Sequence, residues 1–341
     1  FDLQLQLPDS PGAEALPPIS VVVAARNEAE SLPALLDALS EQSFGDFEVI
    51  VVDDGSTDLT ASLVRAKAGK DERFRLVSAE PTEPRKKNAL RTGIAAARFD
   101  RLAFTDADCI PGPDWLGSIA AHAYTGELIV GYSPFQDGRG FVNGASRYET
   151  FVTGFLTAAA VGLGRPYMAV GRNLSYTTGL FEQIGGFDHS LQSLSGDDDL
   201  FVQEAVRRGT SVVHMSSAES FVPTPAPRSW SDWLRQKRRH ASAGRYYRPW
   251  AKVHLAIFHA TGIAMWLAPL IAGLIGLAVL VVRLLLLRFS LARAAGVLGE
   301  RDLLQLLPVW DFIYTMYNLT VAPIGLLLRP TRWRTGAERT G

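Results

Sequence analysis

Two kinds of apolar pattern divide the chain. From residue 19 to 108, short continuous β-branched runs alternate with stretches whose apolar residues recur at helical spacing. The run "ISVVVAA" (19–25) reads as a buried parallel strand, because such a strand is covered on both faces. "NEAESLPALLDALSEQ" follows, with Leu32, Leu35, Leu36 and Leu39 on one helical face. "FEVIVVDD", "FRLVSAE" and "RLAFTDAD" repeat the strand signature, and "GSTDLTASLVRAKAG" and "RKKNALRTGIAAAR" the helical one. Four alternations at short spacing predict an α/β fold with a doubly wound, mostly parallel sheet. In such sheets ligands bind beyond the carboxyl ends of the strands. The acidic pairs Asp53/Asp54 and Asp106/Asp108 fall at those ends.

The stretch from about 130 to 225 is less regular, apart from a capped helix in "SGDDDLFVQEAVRRG". Pro223, Pro225 and Pro227 then precede "SWSDWLRQKRRHASAGRYY", whose mixture of Trp, Tyr and basic residues predicts an amphipathic interfacial segment over 228–252. Residues 253–287 are apolar except for His254, His259 and Arg283. As one helix they would rise about 50 Å at ~1.5 Å per residue, against a hydrocarbon core of ~30 Å. They therefore form either a hairpin turning near Pro269–Gly273 or a helix that extends well out of the bilayer. A second apolar stretch, Pro308–Leu328, holds Asp311 and Asn318 and either spans or lies on the surface. The expected organisation is a leader or linker over 1–18, an α/β domain over 19–227, the amphipathic segment over 228–252, transmembrane or membrane-associated helices over 253–328, and a basic tail over 329–341. Positive-inside reasoning places that tail in the cytoplasm and favours an even number of crossings.

Charge sharpens this picture. The 341 residues carry a net charge of −1, so nothing in the balance points to nucleic acid. Between Arg228 and Lys252, however, eight Lys/Arg stand against one acid, Asp232, as at a cytoplasmic membrane flank. The single cysteine, Cys109, excludes an internal disulfide and any multi-cysteine metal site.

Four constellations carry candidate chemistry. In "VVDDGSTD", turn and capping preferences explain Gly55, Ser56 and Thr57. They leave over two adjacent acids, Asp53 and Asp54, able to accept hydrogen bonds from a base or ribose. In "TDAD", Asp106 and Asp108 share a side if strand geometry continues. Two hard oxygen ligands suit Mg²⁺ or Mn²⁺ bound jointly with substrate phosphates. An Asx turn ahead of "PGPDW" is the plainer reading. In "SGDDDLF", a cap at Ser195 or Gly196 would account for one acid. Three together raise one another's pKa, as suits a general base. In "RQKRRH", most charges read as a solvated or membrane-facing helix. Gln236 and Arg239 share one helical face there, and Arg239 could hold a diphosphate in a bidentate contact. Lys86 or Lys87, opening a helix, could do the same.

Taken in order, "VVVAARNEAESL", "VVDDGSTD", "KKNALRTGI", "TDAD", "GRNLSYTTGLFEQIGGFD", "SGDDDLF" and "QKRRH" resemble the family 2 glycosyltransferases of the GT-A fold. The resemblance covers about residues 19–240. The layout is similar to the membrane-attached members, such as cellulose and hyaluronan synthases and ceramide glucosyltransferases, whose catalytic domain ends in Q-x-x-R-W before transmembrane helices. It implies that Ala24, Arg26, Glu28, Asp53, Asp54, Lys86 and Asp106 line a nucleotide-sugar site. It further implies a metal on Asp108, an acceptor side at Gly171, Arg172 and Asn173, and a diphosphate clamp at Gln236 and Arg239. The family's base stands three residues before a Leu, which implies Asp197, with Asp198 as the reserve. Departures from the family pattern are Ala24 for Pro, Gly196 for Glu and His240 for Trp. The expected activity is inverting transfer from a nucleotide sugar, most simply a UDP-sugar, to a lipid or membrane-associated acceptor, by an integral membrane protein with its catalytic domain in the cytoplasm. Processive polysaccharide synthesis is the alternative among enzymes, though the apolar part is short for a polymer channel. A silent nucleotide-sugar-binding subunit is the alternative outside them. A sugar-phosphate nucleotidyltransferase would instead need a Gly-rich, basic loop where "AARNEAES" stands.

Overall fold

The computed structural model describes residues 16–193 and 195–327, in two compact units. One comprises residues 16–133 and 158–225, the other 134–157 and 226–327.

The first unit is built on a seven-stranded sheet. Its strands are β1 (Ile19–Ala25), β2 (Phe47–Asp53), β3 (Phe74–Ser78), β4 (Arg101–Phe104), β5 (Leu128–Gly131), β6 (Leu174–Thr177) and β7 (Val212–Met215). Their order is β3-β2-β1-β4-β6-β5-β7. All neighbours are parallel except β6, which runs antiparallel to both β4 and β5. The continuous apolar runs are continuous because both faces are covered. Val21 and Val23 of β1, with Val49 and Val51 of β2, enter a core with α1 (Leu32–Ser40), α2 (Thr60–Ala68) and α4 (Trp115–His122). Val22, Ile50 and Val52 face the other way, onto α3 (Arg85–Ala95), α6 (Thr178–Ile184) and α7 (Asp199–Arg207). Gly93 lets α3 lie close on the sheet, since a Cβ there would come within 2.4 Å of Val22 Cγ1.

Three expectations change. The fourth strand stops at Phe104, and the Cys109 N–H closes a turn on the Asp106 carbonyl, so pleat alternation does not place Asp106 and Asp108. The helix after Gly196 starts at Asp199, with Asp198 rather than Ser195 or Gly196 as its cap. The irregular stretch contains a long helix, α5 (Phe141–Gly162), as well as β6.

The second unit is helical. α8 (Trp230–Ala243) is capped by Ser229, whose hydroxyl accepts the Asp232 N–H. α9 (Pro249–Val297) is long and apolar enough to cross a membrane. It is broken at Gly273, where φ +53° and ψ −128° are open in practice only to glycine. A Cβ on Gly276 would lie 2.0 Å from the Ala268 carbonyl oxygen, and one on Gly262 3.7 Å from Arg283 Nη2. Residues equidistant from the break therefore meet, so α9 is a hairpin of two antiparallel arms. α10 (Leu307–Leu327) packs on α8 and α9. Its Asp311 is buried, bound by Arg283 at 2.5 Å and by Trp266 Nε1 at 2.7 Å, one from each arm. The leader through residue 15 and the basic tail lie outside the described residues.

Candidate active site

The chemistry of the first unit gathers at the carboxyl edge of the parallel strands. Two loops knit together there. Asn27, with φ +53°, donates its N–H to Ser56 Oγ, and its Oδ1 accepts the Thr57 N–H at 2.8 Å. Asn tolerates this left-handed conformation better than most residues. Glu28 and Ala29 N–H groups donate to Thr60 Oγ1 and Asp58 Oδ2. Arg26 and Glu28 thus sit on a loop held rigidly against the one after β2. Asp53 accepts the Ser56 N–H at 3.0 Å. Asp54 is 4% exposed, and its carboxylate is gripped by Arg85 Nε at 2.7 Å.

Beside these loops lies an open cleft lined by Ala24, Lys86, Leu90, Phe104, Thr105, Asp106, Gly171, Leu174, Tyr176 and Asp197. The reversed strand explains the company. Because β6 is antiparallel to β4, Leu174 pairs with Phe104, and the residues before β6 reach the same edge as "TDAD". Lys86, in the first turn of α3, binds Asp106 Oδ1 and Asp197 Oδ2, both at 3.1 Å. Burial disfavours its charge, but Asp106, Asp197 and Asp198 outweigh that and raise its pKa. Asp106 thus has a basic neighbour that its surroundings in the chain do not reveal.

Gly171 brings the acids in. Its N–H donates to Asp198 Oδ2 at 3.0 Å, and a Cβ there would meet that oxygen at 3.3 Å and Asp197 Oδ2 at 3.5 Å. The other Asp198 oxygen accepts the Asp199 N–H at 2.7 Å. Burial first, and the Asp197 charge second, raise the Asp198 pKa. Asp197 therefore faces the cleft, while Asp198 binds backbone on both oxygens.

Arg172 and Asn173 do not line this cleft. Arg172 is buried and donates to Ser133 Oγ at 2.5 Å and the Ser133 carbonyl at 3.0 Å. Asn173 is fully buried, accepting the Trp115 indole N–H and donating to the Tyr132 and Ser220 carbonyls. In "GRN", the Arg172 and Asn173 side chains are thus buried and bound within the fold, and only Gly171 lines the cleft. Gln236 and Arg239 belong to the second unit, on α8, where Arg239 lies 3.3 Å from His240 Nε2. Asn27, Tyr176 and Phe104 were not singled out from the sequence. The positive φ tolerated by Asn was a usable signal for the first; the two aromatics read simply as core.

Metal chemistry is constrained by the donors. Among the described residues no three His, Cys, Asp or Glu side chains cluster to hold an ion. The turn after β4 offers Asp106 and Asp108. Cys109 beside them is buried, with its thiol pushed up to about 12 by burial and then by the Asp108 and Asp106 charges. The donor set is therefore two hard oxygens and no thiolate. That fits an Mg²⁺- or Mn²⁺-type ion that completes its shell with substrate oxygens.

A mostly parallel sheet with acids at the carboxyl edges of two strands, and a reversed strand whose approach sets Gly171 against Asp197 and Asp198, is a GT-A-type arrangement. Residues 103–327 match the family described as Glycosyl transferase family group 2, and residues 20–184 match Glycosyl transferase family 2. The chain belongs to this family of glycosyltransferases. It is 26% identical over 259 residues to glycosyltransferase AglE of Haloferax volcanii, covering 74% of this chain and 80% of that one. It is 30% identical over 217 residues to a validoxylamine A glucosyltransferase of Streptomyces hygroscopicus, covering 55% of this chain and 51% of that protein, so it spans about half that relative's length. Among solved structures, mannosyltransferase PcManGT from Pyrobaculum calidifontis, in complex with GDP-Man and Mn²⁺, superposes with a TM-score of 0.59 at 22% identity, covering 92% of this chain and 88% of the other. S. aureus TarS 1–349 in complex with UDP-GlcNAc gives a TM-score of 0.50 at 18% identity, covering 93% and 94%. At these identities the structural likeness establishes the fold.

Proposed function

We propose that this chain is a membrane-bound inverting glycosyltransferase that moves a sugar from a nucleotide sugar, UDP-linked by preference, to a lipid or membrane-associated hydroxyl. The observation that carries the reading is the cleft in which Lys86, Asp106 and Asp197 converge at the carboxyl edge of the sheet. Asp197 takes the acceptor proton as the hydroxyl attacks the anomeric carbon from the face opposite the leaving group. Lys86 supplies positive charge where the nucleoside diphosphate departs. Asp108, with Asp106, would hold a divalent ion, which when bound neutralises charge developing on the diphosphate. Arg26, Glu28 and Asp53 serve the nucleoside side of the same edge. Asp54 serves it through Arg85, whose guanidinium it fixes.

Membrane attachment is part of the proposal. Each arm of α9 has about 24 residues and rises about 36 Å at ~1.5 Å per residue, enough to cross a ~30 Å core. Its tip is apolar and open, with Leu270, Ile271, Leu274 and Ile275 all at least 75% exposed. Such a surface is stable in lipid and unstable in water. The basic, aromatic α8 suits the headgroup layer.

The test is purified protein with a panel of UDP- and GDP-sugars, Mn²⁺ or Mg²⁺, and a membrane lipid extract, read as released nucleotide and labelled lipid. Nucleotide release that requires the lipid is expected. Nucleotide binding without turnover on any donor would sink the reading and favour a silent subunit. A ladder of products would instead point to processive synthesis.

A further inference from the structure

Lys87 follows Lys86 in the first turn of α3, yet it is 1% exposed. Its Nζ donates to the carbonyls of Ser190 at 2.5 Å, Ser193 at 2.8 Å and Ser195 at 3.1 Å. An ammonium has three N–H donors and no acceptor, so these carbonyls use all of it. All three belong to one short segment that leads through Gly196 into Asp197. Among its described residues the segment forms turns rather than a strand, and the Ser190 carbonyl also accepts the Ser193 N–H at 3.0 Å. A side chain needed only for packing would be apolar, since a buried charge is costly unless fully hydrogen-bonded. The two adjacent lysines thus hold the same acid by two routes: Lys86 grips the Asp197 carboxylate, and Lys87 grips the backbone just before it.

We propose that Lys87 is a positioning residue for transfer, its ammonium fixing the carbonyls of Ser190, Ser193 and Ser195 so that Asp197 stands at the cleft. The proposal rests on the reading of Asp197 as the base. Lys87 is not among the residues that line the cleft; it acts through the chain. Burial lowers its pKa to about 8, Asp197 and Asp198 pull the other way, and Arg91 and Lys86 add to the lowering. The Lys87 charge in turn lowers the pKa of His189, next to that segment, though burial is the larger cause. On deprotonation Lys87 keeps two donors for three carbonyls, so the segment should loosen as pH rises past about 8.

The experiment compares the wild-type chain with Lys87→Met, of similar length but without donors, and Lys87→Arg, which keeps charge at all accessible pH. Hydrogen exchange of the backbone, UDP affinity by calorimetry, and kcat against pH are measured on each. For Lys87→Met, faster exchange confined to about 190–200, UDP affinity within threefold of wild type, and a kcat at least about 100-fold lower are expected, as for a misplaced catalytic group. The alkaline decline of kcat in the wild type should shift upward in Lys87→Arg. Unchanged exchange in 190–200, or kcat and UDP affinity falling together, would overturn the proposal. If exchange changes locally as expected but the wild type itself turns over no nucleotide sugar, the transferase reading fails and the positioning of this segment stands.

Discussion

Asp197 and Asp198 are neighbours with the same side chain and opposite circumstances. Asp198 binds the Gly171 and Asp199 N–H groups and caps α7, whereas Asp197 opens onto the cleft beside Lys86. Asp197→Asn should lower kcat by about 10²–10⁴, the range for losing a general base, with UDP affinity unchanged by calorimetry. Full activity in Asp197→Asn would move the base elsewhere. The two acids of "TDAD" differ as well. Asp106 is held by Lys86, while Asp108 lies in the turn beyond. Chelation should abolish transfer and Mn²⁺ or Mg²⁺ restore it. In metal titrations, Asp108→Asn should raise the concentration for half-maximal rate more than Asp106→Asn does. Equal shifts would remove the distinction.

At the scale of elements, α9 and α10 are joined by an ion pair between Arg283 and the buried Asp311. Asp311→Ala strands Arg283 in an apolar setting, for which a cost of about 3–5 kcal/mol is typical. Thermal melts in detergent should show a large loss for Asp311→Ala, much of it recovered in the double variant Asp311→Leu with Arg283→Met. A single variant as stable as wild type would mean that the pair does not fasten the hairpin. α7 carries a smaller, pH-dependent device. Hydrogen bonding from Arg207 leads the effects that hold the Glu204 carboxyl at about 2, below its ordinary 4.5. A carboxyl lowered in the folded state contributes stability above its ordinary value, and loses it as pH falls toward the folded one. The pair is near the surface, so the effect is small. The melting difference between wild type and Glu204→Gln should therefore be present at pH 7 and vanish between pH 4.5 and 2. A difference that persisted at pH 2 would exclude this origin.

For the whole molecule the decisive property is where the second unit resides. Its apolar hairpin and basic flank predict that the expressed chain sediments with membranes and resists alkaline carbonate extraction. Carbonate-soluble chain would show that α9 does not insert. Deleting residues 260–286 should release the chain from membranes, and transfer to lipid should fall more than hydrolysis of the donor does.

The alternating runs of residues 19–108 were sufficient for the doubly wound sheet, because burial on both faces writes itself into local apolar pattern. The motifs likewise sufficed for the acids at the strand ends and for the family they resemble. The sequence left open whether the apolar stretch turns near Pro269–Gly273 or continues as one helix, and the backbone at Gly273 decides for the turn. What pairs with what was not legible. A strand's direction leaves no mark on its own composition, so β6 was overlooked, and with it the reason that Gly171 meets the acids. Two consecutive lysines look alike in the chain. Only packing sends Lys86 to the carboxylates of the cleft and Lys87 to three carbonyls behind it. Asn173 looked like a site residue until its partners were seen to be Trp115, Tyr132 and Ser220. Periodicity records how much of each residue is covered, which a sequence states locally. Which group covers it is decided by residues a hundred positions away, and only the folded chain brings them together.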